Sequence, residues 1–158
     1  MKDFNLTTKI TVYRIEECSI IEKKLIEAAK NATEYAYAPY SQFKVGAAVL
    51  LENREIVIGN NQENAAYPSG LCAERTAIFS ANANFPNQKV VAIAIAAFYK
   101  GKYSTDVTPC GGCRQVLLET ETRFNSPIRI LIYRGDEIYV VENAKALLPL
   151  HFGEEMLH

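Results

Sequence analysis

The chain has 158 residues, enough to bury a full core in one domain, with 49% apolar and 22% charged residues, a balance that excludes a globally disordered chain. Seventeen basic against eighteen acidic residues give a formal charge of −1 with no run of like sign. That excludes nucleic-acid binding through a basic surface, because neutralising phosphates takes clustered Lys and Arg.

In chain order, residues 9–15 (KITVYRI) are β-branched and roughly alternating, which predicts a short strand. From Cys18 to Tyr37 the period becomes helical, with Ile21, Leu25, Ala28, Ala32 and Tyr35 on one face and Pro39 stopping the run. Two strands, 43–52 and 55–61, follow around a tight turn at Asn53-Arg54. A helix is expected over 72–83, then a strand at 89–99 (KVVAIAIAAFY) that is apolar on both faces, as a central strand covered by helices would be. A further helix over 110–123 leads to a strand pair, 128–134 and 137–142, around Gly135-Asp136, and a short helix near 143–148. This order implies a mixed sheet of about five strands with helices on its faces. There is no repeat, no low-complexity tract and no linker. The expected organisation is an N-terminal extension, residues 1–16, that includes the first short strand, followed by one domain over 17–158.

No stretch has the length of a signal peptide's apolar run or of a membrane span. A cytoplasmic protein is therefore expected, where thiols stay reduced and cysteines point to metal or catalysis before disulfides. Of the four cysteines, Cys18 reads as a small buried hydrophobe. Cys110 and Cys113 share the first turn of one expected helix, and Cys72 stands at the start of another. Helix starts from neighbouring crossovers converge at one end of a sheet, where α/β proteins bind ligands. Both histidines, His151 and His158, lie in the C-terminal tail. Three thiolates with a fourth position left for water describe a catalytic zinc site. Two alternatives stay open. A structural four-cysteine site would need Cys18, and a redox Cys-x-x-Cys leaves Cys72 unexplained.

Glu74 lies two residues after Cys72, close enough to stand beside a metal without ligating it. A carboxylate there can take a proton from an activated water and deliver it to a leaving group. Three thiolates outweigh the charge of zinc by one negative charge. Two helix N-termini, at roughly +0.5 each, and the neighbouring Arg75 would offset that excess.

The segment CAER, followed 38 residues after its cysteine by PCGGCRQ, resembles the zinc nucleoside deaminases. With YAPYSQFKVGAAVL (37–50), GNNQENAAYPSGLCAERTA (59–77) and LLPLHFG (147–153), the chain is similar over about residues 20–156 to the small homotetrameric cytidine deaminases. The resemblance implies a three-layer α/β/α sandwich around a five-stranded sheet and one zinc ion per subunit on Cys72, Cys110 and Cys113. It implies Glu74 as the proton shuttle, with Arg75 hydrogen-bonded to the thiolates. Asn61 and Glu63 match the positions that hold the ribose 3′-hydroxyl. Phe43, Tyr67 and Ala73 match the nucleoside pocket, and Phe152 matches a residue that stacks on the pyrimidine from a neighbouring subunit. The implied reaction is hydrolytic deamination of cytidine and deoxycytidine in pyrimidine salvage, releasing ammonia. The implied partners are a pyrimidine nucleoside and three further copies of the chain, with neither nucleic acid nor membrane. A deaminase of another cytosine nucleoside such as blasticidin S, and a zinc-stabilised binding module without catalysis, are the alternative readings. The extension over 1–16 departs from the shortest members of that family.

Overall fold

The computed structural model describes residues 1–157; His158 lies outside the described residues. Seven strands form one mixed sheet: β1 (Thr11–Arg14), β2 (Lys44–Leu51), β3 (Ile56–Asn60), β4 (Val90–Tyr99), β5 (Lys102–Tyr103), β6 (Arg129–Arg134) and β7 (Glu137–Val141). Three helices cover it: α1 (Ile20–Ala32), α2 (Ala73–Asn84) and α3 (Gly111–Phe124). The strand order is β1-β7-β6-β4-β2-β3, with β5 folded back onto β4. Among neighbouring strands of the described residues only β4 and β6 run parallel, and the chain passes from one to the other through α3.

The sheet is larger than the expected five strands, for reasons at two places. β1 adds a four-residue edge by pairing antiparallel with β7. β5 exists because Lys100 and Gly101, at φ 50° and 80°, reverse the chain in two residues after β4. The other turns fall where the sequence predicts them. Arg54 has φ 71° between β2 and β3, and Gly135 has φ 77° between β6 and β7. The first helix is shorter than its periodicity suggests. Ser19 caps it in a reciprocal box with Glu22, and after Ala32 it tightens into a 3₁₀ turn over Thr33–Tyr35.

The alternation along β4 builds the three layers. Ile93, Ile95 and Ala97 join Val49, Leu51, Ile130 and Ile132 under α2 and α3. Ala92, Ala94 and Ala96 face the other way, with Ala48, Leu50, Leu131 and Ile138, under α1. Glycines bring the helices close on both faces. A Cβ on Gly46 would lie 2.1 Å from the Ala29 carbonyl oxygen of α1, and one on Gly59 would lie 2.4 Å from the Ala77 nitrogen of α2. The C-terminal tail is tied to its own chain through its backbone, while Leu150, Phe152, Met156 and Leu157 stay exposed. Arg114 Nη1 donates to the Leu147 carbonyl and Gln115 Nε2 to that of Phe152. Among the described residues no helix is long and apolar enough to cross a membrane.

Candidate active site

Cys72 and Cys110 are the N-cap residues of α2 and α3, both extended at φ −72° and −66°, and neither side chain caps its own helix. Their sulfurs are free to point outward, across the gap where the two helix starts converge. Cys72 Sγ lies 3.8 Å from Cys110 Sγ, and Cys110 Sγ lies 3.5 Å from Cys113 Sγ. All three sulfurs fall within 4.8 Å of one another. Thiolates bound tetrahedrally at about 2.3 Å from zinc stand roughly 3.8 Å apart. The cluster therefore fits a zinc ion by its donor set and its spacing. Cys18 is excluded from it. That thiol is buried among the residues under α1, on the other face of the sheet, which removes the four-cysteine alternative.

The electrostatics suit a cation. The Cys72 thiol is pulled down to about 5, first by the neighbouring Cys113 thiol and then by the hydrogen bonds with Arg75 and Cys110. The neighbouring Cys72 sulfur and burial push the Cys113 thiol up. A metal binds the thiolate form, so its binding displaces protons from the cluster. Arg75 Nη2 is 3.7 Å from Cys72 Sγ, while its buried Nε has no hydrogen-bond partner. Glu74 follows Cys72 into the first turn of α2 and is 5% exposed. Burial, reinforced by the charge on Cys72, raises its carboxyl to about 7. A carboxyl poised there exchanges protons readily near neutral pH.

The cluster opens into a cavity of about 760 Å³. Phe43, Asn61, Glu63, Tyr67, Ala73, Glu74 and Arg75 line it together with Cys72 and Cys110. Cys113 is fully buried behind them. Phe152 does not line the cavity: its carbonyl is held by Gln115 and its ring is 58% exposed. The polar pair is partly committed to the backbone. Asn61 Oδ1 accepts from the Val45 N–H at 2.8 Å, and Nδ2 donates to the Phe43 carbonyl at 2.9 Å. Glu63 accepts from the N–H groups of Tyr40 and Ser41 and from the Ser41 hydroxyl. Sequence reasoning missed Ser41 and the rim at Asp106–Thr108, which also line the cavity. The serine's signal, a small hydroxyl in a polar turn before a strand, is shared by many loops without a site.

Residues 19–124 match the family described as the cytidine and deoxycytidylate deaminase zinc-binding region. The chain belongs to that family. Cys72, Cys110 and Cys113 all fall inside the matched segment and are positioned to bind its metal. A cytidine deaminase of Sporosarcina psychrophila is 42% identical over 136 residues, covering 85% of this chain and 93% of the relative. One from Halalkalibacterium halodurans is 48% identical over 95 residues, covering 60% of this chain and 68% of the relative. The crystal structure of cytidine deaminase from Burkholderia pseudomallei superimposes with a TM-score of 0.69 at 42% identity, covering 82% of this chain and 98% of that one.

Proposed function

We propose that the protein is a zinc-dependent deaminase converting cytidine and deoxycytidine to uridine and deoxyuridine. The observation that carries this reading is a buried carboxyl, Glu74, beside three convergent thiols on the wall of a cavity of about 760 Å³, a volume that suits a nucleoside. Zinc held by Cys72, Cys110 and Cys113 supplies Lewis acidity, which makes water nucleophilic near neutral pH. As water adds at C4 of the pyrimidine, Glu74 takes its proton and hands it to N3. Glu74 then takes the proton of the new C4 hydroxyl and gives it to the exocyclic amine; the C4–N bond breaks as the C4 carbonyl forms, and ammonia leaves. The raised carboxyl of Glu74 supports both roles, since a group near 7 accepts and releases protons with little driving force lost. The unpartnered Nε of Arg75 and its bond to Cys72 fit a cation that draws charge from the thiolates.

Asn61 and Glu63 hold the sugar hydroxyl in this reading, Phe43 and Tyr67 line the nucleoside pocket, and Ala73 contacts the base. Phe152 of the partner subunit stacks on the pyrimidine in a homotetramer, and the exposure of its ring in one chain supports that assignment. Residues 17–158 are assigned as the catalytic domain and 1–16 as an extension. The setting is cytoplasmic pyrimidine salvage. The test is a panel of cytidine, deoxycytidine, cytosine, CMP and blasticidin S, followed by loss of the cytosine absorbance band and release of ammonia. Turnover confined to the two plain nucleosides is expected. Turnover of blasticidin S without cytidine, or zinc binding with no turnover of any of the five, overturns the reading.

A further inference from the structure

We propose that Ser41 is a positioning residue: its hydroxyl aims the Glu63 carboxylate at a sugar hydroxyl and ties that carboxylate to the pocket aromatic Phe43. This rests on the sugar-hydroxyl role proposed above for Asn61 and Glu63. The Ser41 hydroxyl is used in both directions. It donates to Glu63 Oε1 at 2.5 Å and accepts from the Phe43 N–H at 3.0 Å. The backbone of the same turn supplies two more bonds to the other carboxylate oxygen, Oε2, from Tyr40 N at 2.9 Å and Ser41 N at 3.3 Å. Gln42, between Ser41 and Phe43, has φ 57°, a left-handed conformation uncommon for a residue with a side chain. Strain of this kind persists where surrounding bonds over-determine it. Here those bonds converge on Glu63.

Counting donors and acceptors shows what remains for a ligand. A carboxylate offers about four lone-pair positions, and the turn occupies three, both of those on Oε2 and one on Oε1. One is left, on Oε1. Asn61 Nδ2 has two N–H groups and commits one to the Phe43 carbonyl. Asn61 Oδ1 keeps one lone pair beside its bond from the Val45 N–H, so the pair retains one donor, on Asn61, and an acceptor on each residue, enough both to accept from and to donate to a hydroxyl group. Without the Ser41 bond the Glu63 carboxylate keeps only its Oε2 contacts and can rotate about them, and the acceptor no longer has a fixed direction. That bond is also the first cause holding the Glu63 carboxyl below its usual range.

The experiment is steady-state kinetics of the zinc-loaded wild type, S41A, S41T, E63A and the double variant S41A/E63A. The substrates are cytidine and 2′,3′-dideoxycytidine, which lacks the sugar-ring hydroxyls, and each protein's melting temperature is recorded. Losing a hydrogen bond to a charged group predicts that S41A raises KM for cytidine about tenfold, with kcat held within about twofold. KM for dideoxycytidine stays unchanged in S41A. S41T, which keeps the hydroxyl, stays near wild type on both substrates. Adding S41A to E63A costs nothing further, because the group it positions is gone. An equal rise in KM for both nucleosides, or additive losses in the double variant, overturns the inference and marks Ser41 as only part of the turn's framework. A wild type with the same KM for both nucleosides overturns the hydroxyl role of Asn61 and Glu63, and the inference with it. A wild type inert toward cytidine overturns the proposed function itself.

Discussion

Two arginines sit toward opposite ends of the β4–β6 pair and meet their partners on different terms. Arg129 opens β6, donates to Glu22 at 2.8 Å and also to Glu142, and lies over the Tyr13 ring. Every member of that cluster is supplied by the chain, drawn from β1, α1, β6 and the end of β7. Arg75 reaches a single thiol at 3.7 Å and keeps a buried Nε without a partner. Beside it stand a buried carboxyl and three sulfurs that the fold crowds together without neutralising. The first cluster closes on itself and holds the sheet edge. The second is completed only by an added cation, so stability is given up locally to create a place for chemistry.

The sharpest way to break this contrast is at Glu74. Glu74→Gln keeps the shape and the three thiols, so zinc content measured by atomic absorption should stay at wild type while kcat falls by about 10³-fold or more. Retention of even about a tenth of wild-type turnover would remove Glu74 from the proton transfers. Next in size is removal of the metal. A ligand bound at about a thousandfold excess over its Kd stabilises by about 4 kcal/mol, which for this size of domain is roughly 10 °C. Chelation should therefore lower the melting temperature by about that much, with restoration by added zinc. No shift would mean that the cysteine cluster is as self-sufficient as the Arg129 cluster. Cys113→Ser should behave as the chelated protein at any zinc concentration that saturates the wild type.

Smaller effects are expected at the closed cluster. Arg129 and Glu22 are partly exposed, 29% and 17%, so solvent screening limits their pair to about 1 kcal/mol, or roughly 2–4 °C of melting temperature. Arg129→Ala, which also removes the bond to Glu142 and the contact with the Tyr13 ring, should show at least that loss with kcat unchanged. Burial alone would raise the Glu22 carboxyl, but the bonds from Ser19 and Arg129 outweigh it and hold the group below its ordinary 4.5. A depressed carboxyl stabilises the fold fully above 4.5 and loses that contribution as pH falls through its folded value. Melting temperatures of wild type and Glu22→Gln should thus converge in acid, once the pH falls below the folded value of that carboxyl, and separate above 4.5. A constant gap across that range would assign the loss to the helix cap rather than to the charge.

Much of this molecule is legible in its letters because the relevant signals are local. The Cys110-x-x-Cys113 spacing puts two sulfurs in one helical turn, and the apolar run of β4 announces a strand covered on both faces. Two features read less well. The strand count was short because β5 depends on a two-residue reversal at Lys100-Gly101, and the edge position of β1 depends on β7, more than a hundred residues away. Asn61 and Glu63 match positions that hold a sugar hydroxyl, yet more than half of their hydrogen-bonding capacity is spent on the backbone of residues 40–45 and the Ser41 hydroxyl.

The sequence by itself determined the chemistry on offer: three thiols, one carboxylate and one guanidinium, placed at or just inside the starts of two helices by spacing alone. Only the tertiary structure decided that Cys72 and Cys110, 38 residues apart, come within 3.8 Å, that Cys18 stays on the far face, and that Glu74 is buried enough to hold its proton near pH 7. The difference is physical. Ligand identity and helical phase are properties of a few neighbouring residues, whereas burial and the convergence of two helix starts arise when β2 pairs with both β3 and β4, which lead into α2 and α3, and the helices cover the sheet.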